Sequence, residues 1–242
     1  MKNIERIYDA DRSELAISTT KYFFSAIKDL SNSADRIVVS LSGGRSVQDF
    51  FSAIRKKSDL LSRQNWKKLH FFWTDERLVP PDSDDSNYRL ASKLFLDRLL
   101  EDGLLVEGQI HRFPGERTNV RDALVEYREE LDSVSRGIVH VPIMGVGSDG
   151  HVGSLFPHRP ELDDSSGRFL LVEDSPKPPA KRITVSPKVI VESVYPFLFF
   201  LGDEKREAYD CFRREETTYF DCPCKLARSG STGVCYVVTD LK

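Results

Sequence analysis

Three stretches of the sequence place reactive or anion-binding groups directly after short apolar runs. The first, Ser42-Gly43-Gly44-Arg45-Ser46, follows RIVVSL at 36–41 and leads into a helical pattern. Its glycines let backbone N–H groups approach an anion, with the positive end of a helix dipole beside them. The same residues also describe an ordinary strand-to-helix turn in which Ser46 caps the helix and no ligand is needed. The second stretch, Asp75-Glu76-Arg77, follows LHFFWT at 69–74. Three charges at the end of a buried strand require a polar cleft or mutual pairing. The third is GVGSDGHVGSLFP at 145–157, after IVHVPIM at 138–144. A histidine in a glycine-lined loop escapes core packing, and an imidazole changes charge near neutrality, which makes His151 the candidate general base. Asp149 and Asp75 are both candidates to orient it. Further along, Arg182 opens a strand-like segment and Lys205 falls in the first turn of a helical one. A cation at a helix start opposes the dipole unless an anion sits there. These two cations read either as solvated surface groups or as a clamp on one anionic ligand.

The elements needed to hold these groups alternate along the chain. Helical periodicity marks residues 12–30, 47–54, 87–100, 120–134 and 203–213. Short β-branched or aromatic runs mark 36–41, 69–74, 138–144, 169–172, 182–185, 195–201 and 234–238. Such alternation predicts an α/β fold, a mostly parallel sheet with helices on both faces. Ligands of these sheets bind beyond the carboxyl ends of the strands, where all three stretches fall. SPKPPA at 175–180 cannot continue a helix or a central strand, and it reads as an exposed loop within one domain spanning 1–242.

The remaining composition argues against several partner classes. With 35 Lys and Arg against 38 Asp and Glu, the net charge of -3 predicts no general attraction to nucleic acid or to an anionic membrane. The longest apolar run, Tyr195 to Leu201, is too short to span a bilayer, and MKNIERIYDADRSEL lacks the apolar core of a signal peptide. A cytoplasmic protein is expected, with Cys211, Cys222, Cys224 and Cys235 as reduced thiols. Cys222-Pro223-Cys224 lacks the two-residue gap and nearby histidine of common zinc sites, so no metal is expected. Residues 145–150 match G-x-G-x-x-G, but Pro157 leaves scarcely two turns for the helix that a dinucleotide site requires, so no redox cofactor is expected.

Six ordered blocks carry a resemblance: LSGG at 41–44, DERLVP at 75–80, SNYRLA at 86–91, GVGSDGHVGSLFP at 145–157, RITVSP at 182–187 and GDEK at 202–205. Along nearly its whole length the chain resembles the glucosamine-6-phosphate isomerase/6-phosphogluconolactonase family, and it follows the lactonase branch at both DER and DGH. The resemblance implies a Rossmann-like fold without cofactor or metal. It also implies hydrolysis of 6-phosphogluconolactone to 6-phosphogluconate, in the oxidative pentose phosphate pathway. His151 of the Asp149-Gly150-His151 motif is then catalytic, and Ser42, Gly43, Gly44, Arg77, Arg182 and Lys205 surround the sugar phosphate. Where the family commonly reads Gly-Gly-Ser/Asn-Thr-Pro this chain has Gly44-Arg45-Ser46-Val47, so either Arg45 or Ser46 is expected at the phosphate. The C-terminal CPCKL also departs from the family pattern.

A lactone is an activated ester, so one base acting on water suffices. The G-x-S-x-G of a serine nucleophile is absent. Backbone N–H groups of residues 145–150 are the expected oxyanion donors. Within the family the alternative is an isomerase or deaminase with Asp75 as the base. Outside it, the alternative is a non-catalytic sugar-phosphate sensor.

Overall fold

Strands that are apolar at every position are stable only when both of their faces are covered. In the computed structural model, which describes residues 1–164 and 167–242, both are. Among the described residues the strands are β1 (Asn3–Tyr8), β2 (Ile37–Leu41), β3 (Leu69–Trp73), β4 (Asp75–Arg77), β5 (Val141–Gly145), β6 (Phe169–Val172), β7 (Arg182–Val185), β8 (Phe197–Phe200) and β9 (Val234–Thr239). Six of them form an all-parallel sheet in the order β1-β9-β8-β5-β2-β3. The other three, in the order β4-β7-β6, form a small antiparallel sheet. The helices are α1 (Arg12–Leu30), α2 (Gln48–Lys56), α3 (Arg63–Trp66), α4 (Asn87–Ala91), α5 (Asp97–Glu101), α6 (Val120–Ser135), α7 (Pro187–Glu192), α8 (Arg206–Arg213) and α9 (Leu226–Ser229). A π-helical turn, Ser92–Leu96, joins α4 to α5.

Alternate residues of a strand face opposite sides of the sheet. Ile37, Val39 and Leu41 of β2, with Leu69, Phe71 and Trp73 of β3, pack against Phe23, Phe24 and Ile27 of α1 and Phe50 and Phe51 of α2. Val38, Phe72, Leu198 and Phe200 point the other way, into a core shared with Leu124, Tyr127 and Leu131 of α6 and Tyr209 and Phe212 of α8. Helices therefore cover both faces. Burying one such side chain contributes about 1.5–3 kcal/mol. The strand ends that carry the candidate residues are thus held by two cores rather than by their own contacts.

Several elements differ from the sequence expectation, each for a physical reason. β1 is an edge strand with Ile7 as its buried residue, so it shows no apolar run. β4 is DER and has no apolar residue; it forms because Asp75, Glu76 and Arg77 pair with Thr184, Ile183 and Arg182 of β7. The strands at 169–172 and 182–185 belong to this small sheet and not to the parallel one. The helix expected over 87–100 is present but carries the π-helical turn. Among the described residues, no helix is long and apolar enough to cross a membrane.

Candidate active site

β2 lies between β3 and β5, so the chain leaves β2 toward one side of the sheet and later returns on the other. The crevice beyond such a reversal is where α/β sheets bind ligands. A cavity of about 430 Å³ opens there. It is lined by residues 42–46 after β2, by Asp75 and Arg77, by residues 145–147, His151 and Gly153 after β5, by Lys177 and Arg182, and by Leu201, Glu204 and Lys205 after β8. Arg12 closes one side. Ser42, Gly43, Gly44, Arg45, Ser46, Asp75, Arg77, His151, Arg182 and Lys205 all line this cavity as expected from sequence, whereas Asp149, bonded to His151, does not, nor do Ser148 and Gly150 of the expected oxyanion donors.

His151 is positioned by its own turn. The Gly147 N–H donates to the His151 carbonyl at 2.9 Å, and the Gly150 N–H donates to the Gly147 carbonyl at 3.0 Å. The imidazole lies so close to Gly147 that a Cβ there would sit 1.9 Å from Nδ1. The His151 ring packs on Phe156, with centroids 4.5 Å apart, and the Cys224 N–H ties the turn down by donating to the Gly150 carbonyl at 2.9 Å. Nδ1 is hydrogen-bonded to Asp149 Oδ1. Burial opposes ionisation of Asp149, but that hydrogen bond and the charges of His151 and Lys177 outweigh it and hold its pKa well below the usual carboxylate range. An ionised acceptor keeps the proton on Nδ1 and leaves Nε2 with a free lone pair. Closing the turn has a consequence for the backbone donors expected to hold an oxyanion. The Val146 N–H donates to the Phe199 carbonyl at 3.1 Å, and those of Gly147 and Gly150 are engaged within the turn, so these three are not open to a ligand.

Of the two candidate orienting acids, Asp149 is the one bonded to His151. Asp75 accepts instead from Ser154 Oγ at 3.0 Å and Asn87 Nδ2 at 3.3 Å, with Arg182 Nη1 at 4.0 Å. Its neighbour Glu76 is buried and accepts the backbone N–H groups of Arg77, Asn87 and Tyr88 at 2.7, 2.9 and 2.7 Å. Burial raises the Glu76 pKa against the pull of these bonds. Glu76 therefore ties down the start of α4, while Asp75 and Arg77 face the cavity.

The first loop is not the self-sufficient turn that a Ser46 cap would make. A 3-10 turn, Arg45–Val47, precedes α2, and neither start carries a side-chain cap. Ser42 Oγ and Arg77 Nε are buried without a hydrogen-bond partner among the described residues. An unpaired buried polar atom costs about 1–3 kcal/mol, so both of these are suited to pairing with water or a polar ligand. Arg45 is at the rim, with Nη2 3.6 Å from Glu204 Oε1 and its side chain 91% exposed. Lys205 is half-buried; burial lowers its pKa, partly offset by the neighbouring Glu204.

Arg182 does more than line the cavity. Its Nε donates to the Pro179 carbonyl at 2.8 Å, and its Nη2 donates to those of Lys177 and Pro178 at 2.9 and 3.0 Å. These bonds anchor the SPKPPA segment, a role not foreseen from the sequence. The anchored segment delivers Lys177, also missed, with Nζ 3.4 Å from His151 Nδ1 and 3.9 Å from Asp149 Oδ1. Arg12, the first residue of α1, was missed as well; its Nε is 2.9 Å from Asp240 Oδ2. Three prolines around a lysine signal an exposed loop, and no local pattern tells which way that lysine turns. Cys222 and Cys224 are buried free thiols with Sγ atoms 3.4 Å apart. Among the described residues, no group of three or more His, Cys, Asp or Glu could hold a metal ion.

A model of the family described as glucosamine-6-phosphate isomerases/6-phosphogluconolactonase matches residues 10–236. The chain belongs to this family. Within it, the 6-phosphogluconolactonase of Borreliella burgdorferi is 32% identical over 190 residues, covering 78% of either chain. That of Haemophilus influenzae is 34% identical over 170 residues, covering 70% of either chain. The crystal structure of 6-phosphogluconolactonase from Thermotoga maritima superposes with a TM-score of 0.81, covering 99% of this chain and 100% of that one at 22% identity. The family's fold is therefore shared along the whole length.

Proposed function

We propose that this chain hydrolyses 6-phosphogluconolactone to 6-phosphogluconate. The observation that carries the reading is a single cavity in which an Asp149–His151 pair meets six cations, Arg12, Arg45, Arg77, Lys177, Arg182 and Lys205, against two acids, Asp75 and Glu204. The chain as a whole has a net charge of -3, so positive charge has been concentrated here. Such a cavity favours an anionic ligand. The names of the relatives in Borreliella burgdorferi and Haemophilus influenzae supply the class of substrate.

His151 Nε2 takes a proton from water as the water oxygen adds to the lactone carbonyl carbon. The tetrahedral intermediate then breaks its bond to the ring oxygen, which receives the proton back from the imidazolium. The products are a carboxylic acid, which ionises, and a free hydroxyl. Asp149 stabilises the imidazolium between the two steps. The phosphate, remote from the reacting carbon, contributes binding energy and register. Ser42 Oγ, the N–H groups of Gly43 and Gly44, Ser46, Arg77 and Lys205 form its cradle, with the exposed Arg45 attracting from the rim. Asp75 already has both carboxylate oxygens in hydrogen bonds, which argues against its use as the base of an isomerase or deaminase. A sugar-phosphate sensor would have no use for the Asp149–His151 pair.

The test is the rate of acid release from freshly prepared 6-phosphogluconolactone by the purified protein. Turnover well above spontaneous hydrolysis is expected. A rate equal to buffer alone overturns the reading, and deamination of glucosamine 6-phosphate in its place would point to Asp75.

A further inference from the structure

Adding water to a carbonyl places negative charge on its oxygen, and that charge needs a donor or a cation within reach. The N–H groups of Val146, Gly147 and Gly150, on the same loop as His151, are already engaged. The Lys177 ammonium is not. It lies 3.4 Å from His151 Nδ1, but that nitrogen has its proton directed at Asp149 and offers no lone pair to the ammonium. Its nearest carboxylate oxygen, Asp149 Oδ1, is 3.9 Å away, too far for a direct hydrogen bond. Lys177 therefore brings an ammonium with open N–H donors to the wall of the cavity beside the base.

Its position is imposed by the fold. Arg182, 4% exposed, holds the carbonyls of Lys177, Pro178 and Pro179. The loop closes on itself where the Ser175 N–H donates to the Ala180 carbonyl at 2.9 Å. Ser175 Oγ lies 3.2 Å from the Lys177 backbone nitrogen, which donates to it. A solvated surface lysine needs no such anchoring, and a buried arginine with its guanidinium committed to three successive carbonyls is a costly way to hold an idle loop.

We propose that Lys177 is a catalytic residue that stabilises the oxyanion formed when water adds to the lactone carbonyl, and that Arg182 is the positioning residue that aims it. The proposal rests on the lactonase reading above. The water O–H bond breaks with its proton passing to His151 Nε2, the new C–O bond forms, and the carbonyl π pair moves onto the oxygen beside the ammonium. When the intermediate collapses, that pair re-forms the carbonyl and the ring oxygen leaves with the proton from His151. Lys177 stays protonated throughout.

The experiment compares wild type, His151→Asn, Lys177→Met, Lys177→Ala and Arg182→Lys in lactone hydrolysis, with inorganic phosphate as a competitive probe of the anion site. Lys177→Met should lower kcat by roughly 10²–10³-fold, the usual loss for one oxyanion donor, with KM and the phosphate inhibition constant near wild type. Ethylammonium should restore part of the kcat of Lys177→Ala, and sodium at equal ionic strength should not. Arg182→Lys should lower kcat without gaining from ethylammonium. A raised KM with unchanged kcat makes Lys177 a phosphate ligand and overturns the proposal, as does a Lys177→Met variant with nearly full turnover or a Lys177→Ala variant deaf to the amine. Absence of turnover in wild type strikes the lactonase reading itself, and full turnover in His151→Asn strikes His151 as its base, so these failures are told apart from that of the Lys177 proposal.

Discussion

The two glycine-rich strand ends at the cavity are built in opposite ways. After β2, Ser42 Oγ and the N–H groups of Gly43 and Gly44 have no hydrogen-bond partner among the described residues. After β5, the N–H groups of Gly147 and Gly150 close the turn on itself, and what the turn presents is a side chain, His151. A phosphate can be held by open backbone donors, because its charge is spread over several equivalent oxygens. Proton transfer needs a titratable ring in one orientation, so its loop must use its own donors to become rigid. The first loop is thereby suited to binding and the second to chemistry.

The largest expected effects lie in the second loop. His151→Asn should lower turnover about 10²–10⁴-fold in the lactone assay while 6-phosphogluconate binding, measured by calorimetry, stays near wild type. Gly147→Ala places a Cβ 1.9 Å from Nδ1 and should likewise lose turnover before affinity. Loss of binding with intact turnover in either variant would erase the distinction between the loops.

Changes on the binding side should be smaller and should fall on affinity. Lys205→Ala is expected to weaken 6-phosphogluconate by about 1.5–3 kcal/mol, the scale of a charge-assisted hydrogen bond. Ser42→Ala should cost about 0.5–1.5 kcal/mol of the same affinity. Because Ser42 Oγ is unpaired in the free protein, its removal should leave the ligand-free melting temperature unchanged or higher. An unphosphorylated lactone should notice neither change; equal losses with both substrates would reduce these residues to structural roles.

The remaining effect is on stability rather than on activity and concerns a histidine at the other end of β5. His140 Nδ1 accepts the Val38 N–H at 3.0 Å, and burial lowers its pKa to about 4. Burial, with His111 and Arg36 nearby, also lowers that of His70 to about 4. Both are held neutral in the folded state, so their contribution is complete above the ordinary histidine value near 6.5 and is lost as pH falls from there toward about 4. The urea midpoint should fall steadily across that window, and less steeply in His140→Gln. A flat midpoint between those limits would show that neither histidine is held neutral by the fold.

Much of the fold was legible in the sequence. The runs at 36–41, 69–74, 138–144, 195–201 and 234–238 announce strands buried on two faces, and five strands of the parallel sheet lie within or across them. β1 and β4 were not legible, because an edge strand and a charged strand lack the pattern that burial writes into a sequence. In the site, glycines and charged residues directly after buried strands were enough to point to Ser42, Asp75, Arg77 and His151. Lys177 lay in a stretch whose composition says only loop.

What the chain of residues established unaided was the alternation of strand and helix, the strand ends where chemistry belongs, and the family to which six ordered blocks pointed. These are local properties, set by periodicity, by glycine and proline, and by the cost of leaving charge at the end of a buried strand. Long-range contacts decided the rest. They bonded Asp149 rather than Asp75 to His151, engaged the N–H groups of Val146, Gly147 and Gly150 within the protein, and turned Arg182 onto the carbonyls of residues 177–179 so that Lys177 lies beside His151. Each depends on where segments far apart in sequence meet in space, and no spacing along the chain encodes the direction of a side chain at such a meeting.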